Sequence, residues 1–154
     1  MSNPPAVLMV ELVMSIDRMI QSAEAAKVTQ SHLAIPGEWP AQVVLGHVSQ
    51  VDEQIWIPRI AQMCQSQVEG GESPSFDWWE PDAEATFEKF RYISLEEASA
   101  LAMSTRTQLL SAVKELSPEQ WSATAIHEAF GSIDVAGLII QILTHDEEHR
   151  ASLV

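Results

Sequence analysis

At 154 residues the chain has the length of one domain, and an apolar content of 46% against 19% charged residues supplies a core and excludes wholesale disorder. Eight Lys and Arg stand against 22 Asp and Glu, a formal net charge of −14. That balance excludes a nucleic-acid binder, which needs clustered cations for phosphates, and equally a protein docked on an anionic membrane. Cys64 is the only cysteine, so neither an intramolecular disulfide nor a cysteine-based zinc site is available. A reducing cytoplasm is the simplest compartment.

The first stretch, PPAVLMVELVMSIDRMI, is apolar but has no basic leader and no small-residue cleavage site. Glu11, Asp17 and Arg18 interrupt it short of the roughly 20 residues that span a bilayer. It reads as a buried helix: Asn3-Pro4 is a cap with proline following. Met9, Leu12, Val13, Ile16, Met19, Ile20 and Ala23 then recur at three- and four-residue steps to an end near Thr29. Pro36 and Gly37 break it. Pro40 opens a second helix with the stripe Val43, Val44, His47, Val51, Gln54 and Ile55, and Pro58 predicts a kink or a displaced end.

Residues 67–92 form a long irregular connection, in which Asp82 to Phe90 has room for a short helix and Trp78 and Trp79 tack the loop onto the rest. Ser94 and Glu97 make a capping box for a third helix carrying Ala98, Leu101, Ala102, Thr105, Leu109, Ala112 and Val113. Ser117 and Gln120 make a second box on one short turn. Asp134 caps a fourth helix with Leu138, Ile139, Ile142, His145 and His149 inside. No strand-like alternation of useful length is present. The fold class is all-α: a four-helix bundle in a single domain, 1–154, with a long connection between the second and third helices.

The chemistry concentrates in THDEEHR. His145 and His149 are four apart, about 40° around a helix and one turn along, so both imidazoles can reach one metal ion. The alternative is a solvated helix end, where histidine also suits the dipole. His47 lies on the apolar stripe of the second helix, either as a satisfied core histidine or as a third imidazole from a facing helix, which would give a three-nitrogen set with a fourth position left for water or substrate. Such ligands suit borderline divalent ions, zinc or nickel foremost, with cobalt and iron also compatible. Asp52 and Glu53 rotate more than about 100° from His47 and make poor ligands. Asp146 and Glu148 flank the pair, either orienting an imidazole or facing solvent. Gln54 and Gln141 share the stripes of His47 and His145 and are candidate pocket residues, and Arg59 is a candidate anchor for an anionic substrate group. No Walker loop, G-x-G-x-x-G, G-x-S-x-G or paired Glu-x-x-His of a diiron bundle occurs.

The stretches WPAQVVLGHV, SPSFDWWEPDA, LSPEQWSATAIHEAFGSIDVAGL and ILTHDEEHRASL together resemble the DinB-like superfamily of metal-binding four-helix bundles, from Trp39 to Val154. The resemblance implies that His47, His145 and His149 ligate the metal. Asp134 stands where the family usually has Thr, and the chain stops soon after the histidine pair, which predicts a frayed helix end. His127, in a loop entering the fourth helix, occupies a place where the family often has His; it packs the loop or approaches the pocket as a fourth ligand or proton-transfer group. His32 is assigned no role. The resemblance further implies a transferase or isomerase that uses a low-molecular-weight thiol, such as mycothiol or bacillithiol, on a small electrophile; a homodimer is the expected assembly. The other reading is a non-catalytic metal-binding stress-response protein.

Overall fold

The computed structural model describes residues 5–30 and 39–153; the expected Asn3-Pro4 cap, His32 and the break at Pro36-Gly37 lie outside them. Helix α1 (Pro5–Gln30) buries Leu12, Ile16, Met19 and Ala23 of the expected stripe together with Leu8 and Ser15, while Met9 and Ile20 are half-buried and Val13 is exposed. Helix α2 (Ala41–Val51) begins after Pro40 and buries Val43, Val44, His47, Val48 and Val51 on one side. No helix of the described residues is long and apolar enough to cross a membrane.

Of the two outcomes expected of Pro58, the structure shows the displaced end: the regular helix that Pro40 opens stops at Val51, ahead of the proline. A π-helical turn, Asp52–Trp56, carries α2 directly into α3 (Ile57–Val68) with Pro58 in the first turn of α3. Proline has no N–H and its ring clashes with the carbonyl four residues back. A wider turn just ahead of it absorbs both defects. The wider turn shifts the face presented beyond Asp52, so Gln54 is exposed, while Asp52 itself, one turn after Val48 on the buried side of α2, points fully inward.

The long connection holds β1 (Ser75–Phe76) and α4 (Ala83–Phe90), the latter capped by Asp82, whose carboxylate accepts the Ala85 N–H at 3.0 Å. Phe76 is the buried anchor of this loop; Trp78 is exposed, whereas Trp79 is half-buried and stacks on His47 of α2, which gives part of the anchoring expected of the pair. Helix α5 (Leu95–Lys114) is capped by Ser94 accepting from Glu97 N–H, and α6 (Pro118–Trp121) has the full Ser117–Gln120 capping box. Leu101, expected inside α5, is exposed. The stretch before the last helix is a hairpin, β2 (Thr124–His127) and β3 (Gly131–Asp134), with Gly131 at φ 70° in its turn; β1 joins β2 in parallel. These strands of two to four residues are too short to show period-two alternation, which is why the sequence did not display them. Helix α7 (Val135–Ala151) starts at Asp134, whose carboxylate accepts the Gly137 N–H at 2.8 Å. Its far end does not fray: Leu153 is buried in the core beside the side chains of α1.

Helix α1 packs on α7, α5 and α2, and α2 on α5, closing a four-helix bundle. The apolar core falls into two clusters, one around Leu8, Leu12, Met63, Leu109 and Ile142, the other around Ile16, Met19, Leu45, Ala102 and Leu153. On each principal helix the division falls at a polar residue: Ser15, Asp52, Arg106 and Asp146. These four form one hydrogen-bonded layer. Arg106 donates to both Asp52 oxygens (3.0 and 3.2 Å), to both Asp146 oxygens (2.7 and 3.0 Å) and to the Leu12 carbonyl, and Ser15 Oγ donates to Asp146.

Candidate metal centre

Two helices present the histidines. His47 comes from the middle of α2, five residues before the π turn, and His145 and His149 come from successive turns of α7. Their rings converge, with centroids 4.7 Å (His47–His149), 5.3 Å (His47–His145) and 4.5 Å (His145–His149) apart. One nitrogen from each lies within 4.8 Å of the others, and the two α7 Nε2 atoms are 3.1 Å apart.

This arrangement fits a divalent ion. Two nitrogens bound to one tetrahedral ion at about 2.0–2.1 Å would stand about 3.3 Å apart, close to the α7 pair. The Nδ1 atoms of His47 and His145 are buried without a hydrogen-bond partner among the described residues. Clustering three such rings in an apolar wall costs free energy that a shared cation would offset. Burial, reinforced by the neighbouring imidazoles, holds the His47 pKa down to about 3 and that of His149 to about 4; burial lowers His145 as well. All three rings are therefore neutral at physiological pH with lone pairs available, the state a metal ligand requires.

Tryptophans flank each ring. Trp39 stacks on His149 at 6.2 Å and tilts against His47, Trp79 stacks on His47 at 6.3 Å, and Trp56 meets His145 edge-on. Beyond the histidines opens a cavity of about 550 Å³, walled also by Trp78 and Phe130. Of the three candidate pocket residues, Gln141 and Arg59 line this cavity. Gln54 is exposed and off its wall, rotated away by the π turn. His127 reaches the cavity but is not part of the three-histidine cluster.

Asp146 does neither of the things expected of it, being fully buried and bonded to Arg106 and Ser15 with no hydrogen bond to an imidazole. Glu148, by contrast, is exposed and lines the cavity mouth. Asp52 is no ligand, and its carboxylate too is consumed by Arg106. Arg106 itself is absent from the sequence reading. The signal was available: it lies four residues after Ala102 and three before Leu109, on the buried stripe of α5.

Among solved structures, the chain is similar to YfiT from Bacillus subtilis, described as a probable metal-dependent hydrolase with an unusual four-helix bundle topology. The two share 15% identity with a TM-score of 0.71, over 97% of this chain and 83% of that one. It is also similar to mycothiol-dependent maleylpyruvate isomerase, in wild-type and mutant crystal structures, at 13% and 12% identity with a TM-score of 0.66 for each. The match covers 98% of this chain but only 61% of the isomerase. At these identities the likeness is one of fold. A search of curated protein sequences finds no significant match. The sequence from residue 11 to residue 153 nevertheless matches the DinB superfamily, and with the bundle topology shared with YfiT the chain belongs to that superfamily.

Proposed function

We propose that this DinB protein holds a divalent ion on His47, His145 and His149 and uses a low-molecular-weight thiol to transform a small electrophile, by transfer or isomerisation. The observation that carries the reading is the placement of three neutral imidazoles on the wall of an aromatic-lined cavity, where a fourth coordination position would face open space. A closed structural site would bring a fourth protein ligand within reach, and none joins the cluster among the described residues. A divalent ion there, zinc or nickel, would lower the pKa of a thiol or water in the open position.

The protein's own groups supply the rest. Trp39, Trp56 and Trp79 shield the histidines from bulk water and offer flat apolar surface, and Gln141 offers an amide for orientation. The similarity to a mycothiol-dependent isomerase supports the thiol. Cytoplasmic location agrees with the single, buried Cys64. For the homodimer, the exposed apolar side chains Val7, Val10 and Met14 along α1 are the surface to test.

The test has two parts. His47→Ala, His145→Ala and His149→Ala should each lose most bound metal by elemental analysis, while His127→Ala keeps it. Metal-loaded protein should then conjugate a generic electrophile with mycothiol, bacillithiol, glutathione or cysteine faster than His145→Ala does. If no thiol gives a rate above that variant, the non-catalytic reading replaces this one. Ester hydrolysis that needs metal and no thiol would instead make the protein a hydrolase.

A further inference from the structure

The cavity has a second polar end that the metal reading leaves unused, made by Arg59 of α3 and His127 of β2. The guanidinium of Arg59 donates from Nη2 to the Asp77 backbone carbonyl at 2.8 Å and lies over the Phe76 ring, 4.8 Å from its centroid. Neither contact neutralises its charge, and no carboxylate comes within 4 Å of it among the described residues. Asp77 is the carboxylate that acts on it from farther away, and the larger effect of burial still pushes its pKa down. Half-buried and without a close carboxylate, this cation has its charge available to an anionic ligand.

His127 is a fixed donor beside that charge. Its buried Nδ1 accepts the Ala129 N–H at 3.0 Å, so Nδ1 is unprotonated and the neutral ring carries its proton on Nε2. Burial and the Arg59 charge both hold its pKa below the ordinary histidine value. Phe130, at 4.5 Å between centroids, and Trp78, at 6.3 Å, hold the ring in place. The two acidic residues on the cavity wall are otherwise disposed: Glu80 accepts from Trp78 Nε1, and Glu148 precedes His149 at the opposite end.

We infer that Arg59 and His127 form a carboxylate-binding subsite, and that the cavity takes a flat aromatic or conjugated carboxylate, its acid group held here and its body lying among the tryptophans toward the histidines. A guanidinium fork and a neutral N–H donor match the two oxygens of one carboxylate. Four tryptophans and a phenylalanine match a planar body, and the cavity volume suits a molecule of that size. This names the electrophile class of the proposed thiol reaction and rests on that reading only for the chemistry, because binding at this end requires neither metal nor thiol.

The test is calorimetric titration of cinnamate and of uncharged cinnamamide into chelator-treated and zinc-loaded protein, wild type and the variants Arg59→Gln, Arg59→Lys and His127→Ala, with circular dichroism confirming each fold. Cinnamate should bind chelator-treated wild type more tightly than cinnamamide. Arg59→Gln should weaken cinnamate by about ten- to hundredfold and leave cinnamamide unchanged, and Arg59→Lys should recover part of the loss. Equal affinity for acid and amide, cinnamate affinity unchanged in Arg59→Gln, or binding of neither compound would overturn the subsite. Acid-selective binding without thiol turnover would sink the proposed reaction and leave the subsite standing; thiol turnover without acid selectivity would do the reverse.

Discussion

Arg106 grips Asp146 through two parallel hydrogen bonds, 2.7 and 3.0 Å, at the residue that lies one position after His145 and three before His149. The same guanidinium holds Asp52, five residues beyond His47. One cation on α5 thus ties together the two helices that carry the three histidines. It fixes how α7 is rotated, and with that the direction in which both of its imidazoles point.

Removing the cation leaves two carboxylates buried and uncompensated. Arg106→Met should therefore lower unfolding free energy by about 3–5 kcal/mol, read from urea denaturation. The triple variant Asp52→Asn, Arg106→Met, Asp146→Asn should recover most of that loss, because no buried charge remains. A single variant as stable as wild type would show that the layer is solvated in solution.

The layer also has a pH signature. Burial raises the Asp52 pKa to about 6 from 3.8, against the opposing pull of Arg106. A carboxyl whose folded pKa lies above its unfolded value takes up its proton more readily in the folded state. Folding is therefore favoured as pH falls from above 6 toward 3.8, and that gain is lost again as pH rises through 6. Relative to Asp52→Asn, wild type should gain about 2 kcal/mol between pH 7 and pH 4.5. Urea melts of both proteins at the two pH values measure the difference, and a change of opposite sign would refute it.

Metal removal should be visible as heat stability. A ligand present at a hundred times its dissociation constant stabilises by about 2.7 kcal/mol, or about 5–10 °C for a domain of this size. Scanning calorimetry with and without a chelator should show that shift for wild type and none for His145→Ala.

Among the described residues, Gly46, next to His47, is the one glycine whose lack of a side chain is required for packing. A Cβ placed there would collide with the Phe90 ring, which seats α4 against α2. Gly46→Ala should cost about 1–3 kcal/mol although alanine favours helix. Combining it with Phe90→Ala should give less than the sum of the two losses, since the collision partner is gone.

The spacing of residues alone was enough for the four long helices, the Asp82-to-Phe90 helix, the caps at Ser117 and Asp134, and the pairing of His145 with His149; the family resemblance added His47 to them. Each of those is a local pattern: an apolar stripe, a capping side chain, or two rings one turn apart. What the tertiary structure decided is where charge is buried and which way faces turn. The burial of Asp52 and Asp146 is not legible locally, because the partner that neutralises them, Arg106, lies 54 and 40 residues away along the chain. The π turn ahead of Pro58 likewise turned Gln54 off the stripe of His47, where regular helical spacing places it. Burial of a charge depends on a distant counter-charge and face direction depends on hydrogen-bond register, and neither is encoded in the spacing of neighbouring residues.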